Sequence, residues 1–235
     1  MNIVITGASR GLGRAIAEAF AQDKQGHTLI LTARNKEYLE TFSRELQGRF
    51  PRTRILAQAA DLSDKEATVA LGQWILHRVP QIDVLVNNAG SFVPGNVGDE
   101  PDGALETMMA VNLYSAYHLT RTLLPSMKAA RSGHIFNMCS IASLKAYPNG
   151  GAYSISKFAL LGFSKNLREE LKEHGIKVTA VMPGAVYTDS WAGSDVPQSR
   201  IMEAKDIALL VYQAAHLSPQ ATVEEIVVRP QLGDL

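Results

Sequence analysis

Cysteine is nearly absent from these 235 residues, with Cys139 the only one. One thiol cannot close an internal disulfide, and no cysteine/histidine cluster has zinc-site spacing. An excess of either charge is missing too. Lys+Arg and Asp+Glu both number 23, so nothing favours a polyanion such as DNA or an anionic membrane surface. No apolar run approaches the roughly 18 residues of a membrane span. No basic segment precedes the first apolar stretch, as a secretion signal would require. The expectation is a reduced, cytoplasmic protein without a membrane or nucleic-acid partner. Six histidines (His27, His77, His118, His134, His174 and His216) are scattered along the chain and read as surface or packing residues, with no metal expected.

The chain does have strand-length apolar runs alternating with stretches of helical period. Strands are predicted at Met1–Thr6, Thr28–Ala33, Arg54–Ala59, Asp83–Asn87, Gly133–Met138, Ile176–Met182 and Val223–Arg229. Helices are predicted at Gly11–Lys24, after Asn35, from Asp64, over Gly103–Ala130, over Ala152–His174 and over Lys205–Leu217. Asn35 is suited to capping, and Gly175 to stopping the long helix before it. Apolar strands joined by crossover helices imply a single-domain, doubly wound α/β Rossmann fold. It would have a seven-stranded parallel sheet covered on both faces. No repeat or linker interrupts it, and Pro183–Glu203, rich in Gly, Ser, Pro and Asp, reads as a loop.

Between the first strand and first helix lies Thr6-Gly7-Ala8-Ser9-Arg10-Gly11-Leu12-Gly13. Glycines there permit a tight turn and close backbone approach to a pyrophosphate, and the helix start attracts negative charge. A site for NAD places an acid about 20 residues further on, to bond the ribose hydroxyl. Here that position is Ala33, followed by Arg34, and Leu29–Asn35 holds no acid. An arginine can pair a 2′-phosphate that a carboxylate would repel. Arg34, with Arg10 in the glycine loop, therefore points to NADP(H).

Tyr153 and Lys157 form the only Tyr-x-x-x-Lys in the chain and share one face of a predicted helix. An ammonium beside a phenol favours the phenolate, so such a pair can give or take a proton at a carbonyl oxygen near neutral pH.

At this point the chain resembles the short-chain dehydrogenase/reductase family, over nearly its whole length. The resemblance rests on Thr6-Gly7-x-x-x-Gly11-x-Gly13, Asn87-Asn88-Ala89-Gly90, Asn112, Ser140, Tyr153-x-x-x-Lys157 and Pro183-Gly184, in the family's order and spacing. It implies that Ser140 orients the substrate carbonyl, with Ser143 the competing serine. It also implies that Lys157 bonds the nicotinamide ribose, and that Asn112 helps hold a water linking Lys157 to solvent. The glycine loop, with Ser9 and Leu12, would hold the pyrophosphate. Asn88, Ala89 and Gly90 would line the adenosine side, Asp61 and Leu62 would meet the adenine edge, and Pro183, Gly184, Val186 and Thr188 would wrap the nicotinamide. Read alone, Asn112 is a mid-helix polar residue facing water and Asp61 a turn or capping acid. The activity implied is hydride transfer from NADPH to a ketone, with Tyr153 as proton donor. A non-catalytic NADP(H) sensor is the remote alternative, and the intact Ser140, Tyr153, Lys157 and Asn112 argue against it.

The segment from Gly184 to Trp191 and the tail Val223–Pro230 are similar to the bacterial sepiapterin reductase branch of that family. That similarity implies a pteridine side-chain ketone as substrate. Another reducible group, such as a 3-oxoacyl thioester, a sugar or a steroid-like alcohol, is the alternative. Trp191 reads either as a lid that stacks on a flat substrate or as an aromatic packed under a loop or at an oligomer contact. The branch holds its pterin with a carboxylate. Asp189 and Asp234 are the candidates, although each by itself reads as a solvated or frayed acid. The family's pairing of its two long helices implies a homodimer or homotetramer.

Overall fold

Alternate residues of the central strands face opposite ways, and this alternation builds two cores. Ile3, Ile5, Leu29, Leu31, Val84 and Val86 enter one. Val4, Ile30, Leu85 and Ile135 enter the other. A strand buried on both faces reads as a continuous apolar run, which is how a parallel sheet is recognised in sequence.

The computed structural model describes residues 1–188 and 196–234. Its strands are β1 (Asn2–Thr6), β2 (Thr28–Ala33), β3 (Arg54–Ala59), β4 (Val84–Asn87), β5 (Gly133–Met138), β6 (Ile176–Pro183), β7 (Val186–Tyr187), β8 (Met202–Glu203) and β9 (Glu225–Val228). The helices are α1 (Gly11–Ala21), α2 (Lys36–Arg49), α3 (Lys65–Leu76), α4 (Ala104–Met109), α5 (Ser115–Ala130), α6 (Gly151–Leu171) and α7 (Ala204–Ala215). The main sheet has seven strands in the order β3-β2-β1-β4-β5-β6-β9, all parallel. The order reverses between β1 and β4. Doubly wound sheets bind ligands outside the strand ends at such a point.

Helices α1, α2 and α7 cover one face with Ile16, Phe20, Leu39, Phe42, Ile207 and Val211. Helices α3, α5 and α6 cover the other with Leu71, Ile75, Leu119, Leu123 and Leu167. Each such side chain contributes roughly 1.5–3 kcal/mol by leaving water. The Asn35 carboxamide accepts from the Tyr38 N–H and caps α2, and Asp64 does the same for Ala67 at the start of α3. Among the described residues, no helix is long and apolar enough to cross a membrane.

Two expectations need correction. The helix predicted over 103–130 is broken by a π-helical turn, Ala110–Tyr114, between α4 and α5. The turn inserts an extra residue where the Asn112 side chain bonds sideways to other elements, and such insertions gather at functional sites. Periodicity alone does not register it. The segment read as a loop, Pro183–Glu203, contains the short parallel pairing of β7 with β8, with strands too brief to show a period.

His134 on β5 lies 2.7 Å from the Thr179 hydroxyl, which donates its own hydrogen to the Val223 carbonyl. His134 must therefore donate through Nε2, leaving Nδ1 as an acceptor. That Nδ1 is buried without a hydrogen-bond partner among the described residues. Burial, with the nearby Lys177 charge second, pushes the imidazole pKa from 6.5 down to about 3. Between those values the unfolded chain binds a proton that the fold does not. Stability from this group is complete above pH 6.5 and falls as pH drops through that window. Urea unfolding at pH 6 and pH 5 should show a component of roughly 1 kcal/mol per pH unit that disappears in His134→Phe. An unchanged slope in that variant would contradict a neutral, buried His134.

Candidate active site

At the C-terminal end of β1 the backbone turns at Gly7 with φ of +63°, a left-handed conformation that glycine adopts without strain. A Cβ on Gly13 would collide with the Gly7 carbonyl and the Asn88 side chain, so the turn closes only on hydrogen. Asn88 donates from Nδ2 to the carbonyls of Thr6 (2.8 Å) and Gly7 (3.2 Å). The buried Thr6 hydroxyl accepts the N–H groups of Asn88 (2.9 Å) and Ala89 (2.8 Å). These bonds tie the end of β4 to the glycine loop. Sequence alone gave neither side chain this part: those of Asn88 and Thr6 hold the loop in shape.

Arg10 occupies the N-cap position of α1 but gives that turn no side-chain cap. The Thr188 methyl lies 3.4 Å from where a Gly11 Cβ would stand, so the segment after β7 reaches the glycine loop. Ser9 lies in the turn before α1, and Leu12 and Gly13 in the first turn of that helix. Arg34 follows β2 and is exposed. Asp61 accepts the Ser63 hydroxyl (2.7 Å) and N–H (3.0 Å). Its pKa is lowered, first by that hydroxyl, then by the N–H, with the Arg34 charge adding to them. Leu62 turns its side chain into the core, while its carbonyl accepts from Thr68.

The second half of the site is built around α6. The Lys157 ammonium donates to the Met138 carbonyl at the end of β5 (2.8 Å) and lies 5.8 Å from the centre of the Tyr153 ring. Asn112 accepts the Ser91 N–H at 2.8 Å and donates to the Ser91 carbonyl (3.1 Å) and the Ser156 hydroxyl (2.9 Å). Ser156 in turn donates to the Tyr153 carbonyl (2.7 Å). A Cβ on Gly90 would stand 3.1 Å from Asn112 Oδ1 and 3.6 Å from the Lys157 ammonium, so Gly90 lets these two approach. The π-helical turn, the end of β4 and α6 are thereby joined. Ser91 and Ser156 were not foreseen, because a serine among many gives no sequence signal.

Ser140 follows β5, and its Oγ accepts the Ala142 N–H at 3.1 Å. The Ser143 hydroxyl, the competing candidate, accepts the Ser140 N–H and is buried beneath it. Burial raises the Cys139 thiol to about 11, so the lone cysteine is inert as a nucleophile. Burial likewise pushes Tyr147 up to about 12, with Tyr153 the second influence. Phe92 meets Tyr153 edge-on, with ring centres 4.8 Å apart, and is half exposed.

After Pro183 the chain passes beneath the tail. Gly184 donates to the Val228 carbonyl at 2.7 Å, and a Cβ there would come within 3.4 Å of Asp234 Oδ1. Val186 packs into the core. Asp234 is not a frayed acid. It pairs with Arg229, and Arg200 donates to the carbonyls of Gly233 and Asp234. Trp191 and Asp189 lie outside the described residues.

Glu100 was also not foreseen. Its carboxylate accepts the Ala152 N–H at 2.8 and 3.2 Å, capping the helix that carries Tyr153 and Lys157. A carboxylate at a helix start is favoured by the helix dipole. The cap comes from 52 residues away, beyond the reach of any local capping pattern. Gly151 provides the space, since a Cβ there would strike Glu100 and the Gly95 carbonyl. Glu100→Ala should destabilise the chain by about 1 kcal/mol. Calorimetry should read this as a fall in Tm of roughly 2–4 °C. Glu100→Gln, which keeps an acceptor oxygen, should lose about half as much; equal losses would discount the cap.

A sequence model described as short chain dehydrogenase matches residues 1–197. The sepiapterin reductase of Chlorobaculum tepidum is 37% identical over 99% of this chain and 97% of that protein. Among solved structures, a metagenomic short-chain oxidoreductase in complex with NADP has a TM-score of 0.84 at 35% identity. That alignment covers 98% of this chain and 97% of the other. The L-sorbose reductase of Gluconobacter frateurii, complexed with NADPH and L-sorbose, has a TM-score of 0.88 at 26% identity, covering 97% and 95%. With the seven-stranded sheet, the glycine turn and the Tyr153–Lys157 pair in place, the chain belongs to the short-chain dehydrogenase family.

Proposed function

We propose that this protein is an NADPH-dependent carbonyl reductase in which Tyr153 is the proton donor. The observation that carries this reading is the buried Lys157 ammonium, fixed by the Met138 carbonyl and held against the Tyr153 ring. A positive charge in that place favours the tyrosinate that forms when the phenol gives up its proton.

The residues present fit a dinucleotide. The Gly7–Gly13 turn is a cradle that a Cβ would fill, and it opens on a helix start without a side-chain cap. Arg34 follows the position, Ala33, where an NAD site would carry an acid, and with Arg10 it supports a 2′-phosphate. Ser9, Gly11 and Leu12 would hold the pyrophosphate. Asp61, Leu62, Asn88, Ala89 and Gly90 would border the adenosine, and Pro183, Gly184, Val186 and Thr188 the nicotinamide. When bound, NADPH supplies the hydride.

The chain's own groups do the rest. Ser140 and Tyr153 position the carbonyl oxygen, and Tyr153 protonates it. Lys157 stabilises the resulting tyrosinate and bonds the ribose. Both Nδ2 hydrogens of Asn112 are used, on Ser91 and Ser156. Its Oδ1 accepts the Ser91 N–H and keeps a second lone pair that would accept the water resupplying the proton.

For substrate we infer a pteridine side-chain ketone. The likeness to a sepiapterin reductase over the full chain supports it. The Asp234 carboxylate beside Gly184 supports it too, because it supplies an acid at the nicotinamide end of the site. Phe92, edge-on to Tyr153, offers a wall for a flat ring. The exposed Tyr117 on α5, with Ile155 and Phe158 on α6, supports pairing with a second copy.

NADPH oxidation followed against sepiapterin, a diketone, L-sorbose and an acetoacetyl thioester tests both levels. Sepiapterin should turn over well above the others, and a stronger response to the sugar or thioester would replace the pteridine. Tyr153→Phe should lower kcat by about 10²–10⁴-fold with NADPH affinity nearly unchanged. Full activity in that variant would remove Tyr153 from the mechanism. Arg34→Ala should raise the KM for NADPH about tenfold and leave that for NADH little altered. Equal effects on both would discount the 2′-phosphate contact.

A further inference from the structure

At the end of the sheet opposite the glycine turn, three side chains from separate elements converge. Asp23 follows α1, His27 precedes β2, and His216 ends α7. The Oδ2 of Asp23 lies 3.1 Å from His27 Nε2 and 3.4 Å from His216 Nε2. All three ligand atoms fall within 4.8 Å of one another. Zinc bound at about 2.0–2.2 Å in tetrahedral geometry separates its ligands by about 3.3–3.5 Å, so the 3.4 Å edge already has the required length and the 3.1 Å edge needs to open by a few tenths of an ångström.

The hydrogen bonding points to a cation. His216 Nδ1 lies 2.8 Å from the Tyr212 carbonyl. A carbonyl only accepts, so this nitrogen carries the hydrogen, and in the neutral ring Nε2 is a lone pair. That lone pair faces the Asp23 carboxylate, so the contact is completed by a positive charge between the two, supplied either by a second proton on the ring or by a metal ion. An imidazole whose other nitrogen donates to a backbone carbonyl is also the usual setting of a metal-bound histidine. Asp23 is oriented in the same manner, its Oδ1 accepting the Gln25 N–H and its Oδ2 the Tyr212 hydroxyl. The C-terminal ends of α1 and α7 both meet here, and helix C-termini attract cations.

We propose that Asp23, His27 and His216 form a binding site for a divalent transition ion of the zinc type, which cross-links α1, α7 and the start of β2. Two imidazoles and one carboxylate suit zinc and disfavour magnesium or calcium, which take oxygen ligands. The fourth position opens to solvent on the side of the partly exposed His216. The Met1 amine lies 3.3 Å from His27 Nδ1.

The experiment uses the full chain, stripped with a chelator and titrated with zinc sulfate in a calorimeter. One equivalent should bind, and Tm should rise. His216→Ala and Asp23→Asn should each weaken binding by about 10–100-fold and abolish the rise in Tm. Replacing His27 could unfold the chain, whereas His216 is partly exposed. NADPH oxidation by His216→Ala at the unmodified rate would show that its fold and catalytic groups are intact. Substoichiometric binding, or binding undiminished in both variants, would overturn the proposal and place zinc on other surface histidines.

Discussion

A lysine ammonium withdrawn from water must be compensated, and much of the site is arranged around that demand. Lys157 is only 6% exposed. An unpaired charge at that depth would lose its proton or unfold its surroundings. The Met138 carbonyl meets it directly, and β5 supplies that carbonyl only while β4 and β6 hold the strand on both sides. The Asn112–Ser156–Tyr153 chain then fixes the first turns of α6, so the ammonium and the phenol keep their relative positions.

This accounts for the two irregular features near Tyr153. The π-helical turn at Ala110–Tyr114 brings the Asn112 carboxamide within reach of Ser91 and Ser156. The segment from Gly95 to Glu100 crosses to the start of α6 and closes its N-terminus with a carboxylate. Both depart from regular geometry where the protein holds an ammonium and a phenol in register. Strain and exceptions to local rules are expected at such places.

The sheet was legible in the sequence because its cause is local. Thr28–Ala33, Arg54–Ala59 and Gly133–Met138 are apolar runs of strand length bounded by turn residues, and all three strands lie at the predicted positions. The glycine turn was legible for the same reason, since its small residues stand together in the chain. What could not be read depends on distant pairs. Glu100 caps a helix it does not adjoin, Asn88 braces a loop 81 residues earlier, and His27 and His216 meet only because α1 packs on α7. Asp234 was read as frayed because nothing in the tail announces its pairing with Arg229. Strands β7 and β8 hold two residues each, too few to display a period.

The helix starts differ in how they are filled. Asn35, Asp64 and Glu100 accept the leading N–H groups of α2, α3 and α6, and the first turn of α7 carries Asp206. The turn that begins α1 receives no cap from Arg10 at its N-cap position and contains no acid. The protein's own oxygens thus occupy the positive poles of α2, α3, α6 and α7 and leave that of α1 without a side-chain cap. The local field therefore favours an anionic group by exclusion as well as by attraction: of these five helix starts, that of α1 alone carries neither a side-chain cap nor an acid.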